Sequence, residues 1–106
     1  MPEPRLEIEY CTQCNWLLRA AWVAQELLQS FRDRLGEVAL VPGNGGVFQI
    51  RLVSETGTVM LWDRTVEGGT PDIPALKRAV RDAIAPDMAL GHADRARPRA
   101  DDRPEP

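Results

Sequence analysis

Polar and apolar residues alternate from Arg5 to Tyr10, with Leu6, Ile8 and Tyr10 on one side and Arg5, Glu7 and Glu9 on the other. A period of two marks a strand with one buried face. Beyond Asn15 the period changes. Trp16, Leu17, Ala20, Ala24, Leu27, Leu28, Phe31 and Leu35 recur at helical spacing, with Gly36 as the stop. Glu37 to Val41 is a short β-prone run, ended by Pro42-Gly43-Asn44-Gly45-Gly46. Val47 to Ser54 alternates again, with Phe48, Ile50 and Leu52 opposite Gln49 and Arg51. The turn Glu55-Thr56-Gly57-Thr58 leads into Val59 to Asp63, which predicts a hairpin. After a break at Gly68 to Asp72, Ile73, Leu76, Val80, Ala83 and Ile84 form one helical stripe. Asp72 is placed to cap that helix, although Ala75 denies it the reciprocal partner of a capping box.

The order is therefore β-α-β-β-β-α. A strand, a crossover helix and a second strand imply a right-handed parallel unit, and an antiparallel hairpin and a helix follow it. The expected fold is α/β, a four-stranded mixed sheet with both helices on one face and the other face partly open. That open face would carry Glu7, Glu9, Gln49 and Arg51, together with Met60 and Trp62. An apolar patch there would suit a partner or a second copy of the chain. From Pro86 the apolar pattern fades, and Gly91 to Pro106 holds four Arg, four acidic residues and three Pro. Such a stretch cannot bury enough surface to offset its ordering entropy. The expected organisation is one domain over residues 5–85 and a disordered tail over 86–106 that contains the only histidine, His92.

Composition narrows the function classes. A chain of 106 residues fits one small core. Its net charge of −3 gives no electrostatic footprint for nucleic acid. Met1-Pro2-Glu3-Pro4 does not open a secretory signal, and Arg19, Gln25 and Glu26 interrupt the apolar stretch from Trp16 to Phe31, so no membrane span is expected. The expected compartment is the cytoplasm. There structural disulfides are rare, and a Cys-x-x-Cys pair is more often catalytic or metal-binding.

That pair is Cys11-Thr12-Gln13-Cys14, at the junction between the first strand and the first helix. Unpaired N–H groups at a helix start favour a thiolate, and thiolate population sets reactivity. Glu9, just upstream, opposes that effect. Exposure by thioredoxin-type logic assigns the attack to Cys11, with Cys14 in the first helical turn resolving. Two other readings compete. A lone Cys-x-x-Cys is half of a tetrahedral zinc site, and with His92 in the tail zinc would need a dimer or distant carboxylates. Two cysteines can also pack as small apolar residues. Neither accounts for the placement at a strand-to-helix junction, so redox chemistry is favoured and no metal or other cofactor is expected.

Weaker features have plainer readings. Gly43 to Gly46 lacks the sequel of a phosphate loop and reads as a connection that needs positive φ. Trp16 and Trp22 read as packing residues. Asp63, Arg64 and Glu67 read as a solvated charged loop.

Cys11-x-x-Cys14 after an opening strand, Gly45-Gly46-Val47-Phe48-Gln49-Ile50, Leu61-Trp62-Asp63-Arg64 and Glu67-Gly68-Gly69-Thr70-Pro71-Asp72-Ile73-x-x-Leu76-Lys77 follow one another in that order. Together they resemble the selenoprotein W-like members of the SelT/SelW/SelH (Rdx) family, in the cysteine-containing form. The resemblance covers about residues 5–85. It implies a shortened thioredoxin-like fold in which the second strand lies beyond the first and the third lies on the first strand's other side. Pro42 to Gly46 would then cross the end of the first strand beside Cys11, and Gly45, Gly46, Val47 and Phe48 would shape access to the pair. Family members place selenocysteine at the second motif position, so the resemblance makes Cys14 the more reactive atom. Thr70 departs from the aromatic residue that members often carry there.

The function expected is a thiol–disulfide oxidoreductase cycling Cys11 and Cys14 on a protein thiol or disulfide, or on a glutathione-type thiol. The alternative is a non-catalytic binding or adaptor domain with regulatory or vestigial cysteines.

Overall fold

The computed structural model describes residues 4–91. His92 and the rest of the expected tail from there on lie outside the described residues. Four strands form one sheet: β1 (Arg5–Cys11), β2 (Glu37–Gly43), β3 (Phe48–Ser54) and β4 (Gly57–Asp63), in the order β2-β1-β3-β4. β1 pairs parallel with β2 and antiparallel with β3, and β3 pairs antiparallel with β4. Helix α1 (Leu17–Ser30) makes the crossover from β1 to β2, a short α2 (Arg64–Glu67) follows β4, and α3 (Ile73–Ile84) closes the fold. The mixed sheet with its helical layer is the α/β architecture expected.

Alternation in the central strands decides which face is covered. Leu6, Ile8, Tyr10, Phe48, Ile50 and Leu52 are buried against Ala20, Val23, Ala24 and Leu27 of α1 and Leu76 and Val80 of α3. Burying this cluster of large side chains contributes most of the stabilisation, at roughly 1.5–3 kcal/mol for each fully buried Leu, Ile or Phe. The opposite face carries a lattice of ion pairs. Arg51 reaches Glu7 at 3.2 Å and Glu9 at 2.9 Å, while Arg5 reaches Glu7 at 3.1 Å and Glu37 at 3.0 Å. Glu7, Glu9, Gln49 and Arg51 therefore share the open face, as alternation predicts.

Met60 and Trp62 do not share it. The β3–β4 register shifts between Ile50 and Arg51, so Ile50 faces Trp62 and Arg51 faces Met60. An extra residue in one strand turns the following side chain to the other face. Met60 stays on the open face, whereas Trp62 packs toward the core and donates its indole N–H to Gly69 O at 2.9 Å. The expected apolar patch is thus split by a bulge that period-two counting cannot detect.

Helix α1 is shorter than its apolar period suggests. It ends at Ser30, and Phe31 and Leu35 are buried from the turns that follow. Leu17 and Leu28 are exposed, and Val23 takes the core position beside Ala20 and Leu27. β2 in turn runs on through Pro42 and Gly43, which pair with Tyr10 and Cys11. A proline is tolerated because β2 is an edge strand with one ladder only. Asp72 caps α3 as expected, accepting from the Ala75 N–H at 3.1 Å. Between the helices the sole lysine, Lys77, is buried and its Nζ lies 2.9 Å from Glu26 Oε1. Residues 86–91, which composition assigns to the tail, return to the body. Met88 and Leu90 pack on the core, and Met88 O accepts from Arg81 at 3.0 Å.

Candidate functional site

The end of β1 holds both cysteines, but not in the setting that the helix period implies. Thr12–Cys14 form a separate single turn of 3₁₀ helix, and Asn15 adopts a left-handed backbone, φ 60°, before α1 begins. Asn enters that region more readily than most residues, and here it breaks the turn away from the helix. Cys14 therefore lies ahead of α1 and not in its first turn. Thr12 ties the turn to β2 through a hydrogen bond from Oγ1 to Gly43 O at 3.2 Å.

The two sulfurs are 2.8 Å apart and unbonded. A disulfide spans about 2.05 Å, so a small side-chain rotation brings the sulfurs to bonding distance when an oxidant takes up two electrons. Their surroundings differ. Cys11 is buried at 1% exposure, and Cys14 is exposed. This reverses the expectation that Cys11 is the accessible thiol, because Cys11 is the last strand residue and pairs with Gly43. The Cys11 thiol is held below its ordinary pKa, first by the hydrogen bond from Cys14, then by the backbone N–H groups of Gly46, Gln13 and Cys14, while desolvation opposes them. Cys14 is pushed up by the hydrogen bond to Cys11, by desolvation and by the neighbouring sulfur's charge, and is pulled down by Arg64 and the Gly46 N–H. The hydrogen bond between the sulfurs and then three N–H donors against one favour negative charge on Cys11 over Cys14. Glu9, expected to oppose the thiolate, turns to the open face and pairs with Arg51 at 2.9 Å.

The glycine segment runs beside the dithiol, and each residue there has its own part. Gly46, φ 79°, lies where its N–H favours the charged form of both sulfurs. Gly45, φ 70°, is exposed in the turn before it. At Gly43 a Cβ would lie 2.6 Å from Glu9 Oε2 and 2.8 Å from Val47 Cγ1, so a side chain there has no room. Val47 is half-buried against that glycine. Phe48 is fully buried, and Trp16 meets it edge-on with ring centroids 6.0 Å apart.

Arg64 is the residue that reasoning from charge pattern missed. Its guanidinium carbon lies 5.0 Å from the centre of the Trp16 ring, and its charge acts on Cys14. The segment expected to be a solvated loop is in fact helix α2, capped by Asp63, which accepts from the Thr65 N–H at 3.0 Å. A signal was present in sequence as Asp63 two residues before Thr65, with Gly68 beyond Glu67. Nothing in the spacing ties that turn to Trp16, because the contact is made by the fold. Among the described residues, no three His, Cys, Asp or Glu side chains come together as a metal site.

A parallel–antiparallel sheet of this order, with a dithiol at the end of β1 and glycine backbone against it, matches known proteins. The sequence model of the Rdx family covers residues 5–82. The chain belongs to the Rdx family. Among solved structures, a protein from Bordetella parapertussis is 59% identical, with 78% of this chain and 99% of that one covered and a TM-score of 0.71. A selenoprotein W-related protein from Vibrio cholerae is 47% identical, with 74% of this chain and 94% of that one covered and a TM-score of 0.69. Comparison with curated proteins finds no match. The Rdx domain here is thioredoxin-like, and its motif cysteines are the pair described above. Among the described residues no helix is long and apolar enough to cross a membrane.

Proposed function

We propose that this Rdx protein is a thiol–disulfide oxidoreductase that works in the cytoplasm on a protein or glutathione-type disulfide. One observation carries the reading: the Cys11 and Cys14 sulfurs lie 2.8 Å apart, with Cys11 buried under backbone N–H groups and Cys14 exposed. Only the exposed sulfur can reach a partner. Cys14 loses its proton, to Cys11 or to solvent, and attacks one sulfur of the substrate disulfide, whose other half leaves as a thiolate. Cys11, as its thiolate, then attacks Cys14 Sγ, closing the internal disulfide and expelling the second thiolate. Two electrons pass to the substrate. The N–H groups of Gly46, Gln13 and Cys14 favour Cys11 as the resolving thiolate.

The test is equilibration in glutathione buffers over a wide range of ratios, with the protein mass read at each. An internal disulfide should form at an intermediate ratio, and its absence at every ratio would end the redox reading. Cys11→Ser should accumulate mixed disulfides at Cys14, and Cys14→Ser should not.

A second reading rests on Leu18 and Trp22, one turn apart on α1 and exposed at 82% and 48%. Such side chains suit a binding domain whose cysteines are regulatory. Replacing both cysteines by Ser separates the two readings, because a binding domain keeps its partner and an oxidoreductase loses its activity.

A further inference from the structure

Arg64 stands apart from the other basic side chains at the sheet. Arg5 and Arg51 are held by carboxylates, as are Arg34, Lys77 and Arg81 elsewhere in the fold. No ion pair engages Arg64 among the described residues, although it is exposed next to two acidic neighbours in sequence. The reason for one of them is plain. Asp63 is taken up by the Thr65 N–H at 3.0 Å and by Gln49 Nε2 at 3.3 Å. Glu67 lies three residues along α2, and no ion pair joins it to Arg64.

The guanidinium is nevertheless held. Its carbon lies over the Trp16 ring at 5.0 Å, and that ring is fixed edge-on against the buried Phe48. Below it, α2 is fastened at one end by the Asp63 cap and at the other by the left-handed Gly68, whose N–H bonds Arg64 O at 2.8 Å. A guanidinium lying against an aromatic face keeps its in-plane N–H groups turned outward, in the fork that accepts a carboxylate through two parallel hydrogen bonds. Trp16 follows Cys14 by two residues, and the Arg64 charge reaches the exposed Cys14 thiol, so the guanidinium and the sulfur serve one site.

Building on the redox reading above, we propose that Arg64, seated on Trp16, binds a carboxylate of the substrate whose disulfide Cys14 attacks. The substrate class is then a cysteinyl peptide or small thiol that carries a carboxylate near its sulfur. The covalent step is unchanged: the substrate S–S bond breaks, the Cys14–S bond forms, and the leaving thiolate takes its proton from solvent. Arg64 also lowers the Cys14 thiol by its charge, an influence common to every disulfide. Contact with the unreacting part of the substrate adds an effect on binding and on the choice among disulfides, and that effect is the one a carboxylate reveals.

The experiment compares two disulfides as oxidants of the fully reduced protein: oxidised glutathione, which carries carboxylates, and bis(2-hydroxyethyl) disulfide, which carries none. Rates are followed by loss of intrinsic tryptophan fluorescence or by mass, for the native protein, Arg64→Met and Arg64→Lys. Arg64→Met should slow oxidised glutathione by roughly tenfold or more, the scale of a charge-assisted hydrogen bond. The neutral disulfide should change far less, and Arg64→Lys should recover only part of the loss because its point charge lacks the fork. Added salt should slow the native protein with oxidised glutathione and leave Arg64→Met nearly unaffected. Equal slowing of both disulfides would make Arg64 a partner of the Cys14 sulfur alone and overturn the carboxylate site. Unchanged rates with both would overturn it as well. A native protein oxidised by neither disulfide would overturn the redox reading and the site with it, whereas the other outcomes leave that reading standing.

Discussion

Cys11 Sγ and Cys14 Sγ are 2.8 Å apart, yet the first is enclosed by protein and the second faces solvent. Two sulfurs this close influence each other's ionisation strongly, so they titrate as a pair. One macroscopic step should fall below the ordinary thiol value and the other above it, following the directions at Cys11 and Cys14. Each single variant should then show one step. Cys11→Ser removes the hydrogen bond and the charge that raise Cys14, so the remaining thiol should titrate below the pair's upper step. Cys14→Ser removes the largest influence lowering Cys11, so that thiol should titrate above the pair's lower step. Ultraviolet thiolate absorbance against pH measures all three. As pH falls through the lower step, the Cys11 thiolate is lost, and alkylation of the native pair should slow.

Gly43→Ala should lower stability by about 1–3 kcal/mol, the usual cost of overpacking. Its Cβ would meet Glu9 Oε2 at 2.6 Å and Val47 Cγ1 at 2.8 Å. Glu9→Ala in the same chain should recover part of the loss but not all, because Val47 stays in the way. Urea melts of the two single variants and the double variant measure the coupling.

The Lys77–Glu26 pair offers an asymmetric test. Glu26→Ala leaves the ammonium of Lys77, 5% exposed, without its partner, and should cost about 1–3 kcal/mol, below a fully buried pair because Glu26 is partly in solvent. Lys77→Met keeps the side-chain length and removes the charge, and should be close to neutral. Thermal or urea unfolding of the two variants reads the difference directly.

Asp72→Ala should cost about 1 kcal/mol by leaving the Ala75 N–H without its cap. Trp62→Phe should cost about 1 kcal/mol or somewhat more through the lost bond to Gly69 O. The second change should also loosen the connection from Glu67 to Asp72, as amide hydrogen exchange across Gly68 and Gly69 would report.

These residues also mark how far the sequence could be read. Period-two alternation places Leu6, Ile8 and Tyr10 inside and Glu7 and Glu9 outside, because a strand offers only two faces. The Asp72 cap was legible for the same kind of local reason. The cysteines were legible as a pair, but their exposures were not, since Cys11 is covered by the glycine segment from thirty residues on. Trp62 was misplaced because a single extra strand residue reverses every later side chain, and apolar residues on both sides of it hide the change. α1 was drawn too long because Phe31 and Leu35 are buried from turns that keep a helical spacing. Arg64 was legible as part of a charged turn and of the family motif but not as a neighbour of the dithiol, since its partner Trp16 is contributed by a distant segment.

Beyond the Cys14 thiol, the donors around Cys11 are main-chain N–H groups, supplied by Gly46, Gln13 and Cys14. Thr12 and Gln13 can therefore change identity without changing the number of donors, so long as the chain keeps its path. What evolution or an engineer must preserve is the course of the backbone through Asn15, Gly45 and Gly46, all at positive φ. Apart from the contact between the two sulfurs, retuning Cys11 is then a matter of bending two turns, and a library confined to polar substitutions at Thr12 and Gln13 would leave those donors untouched.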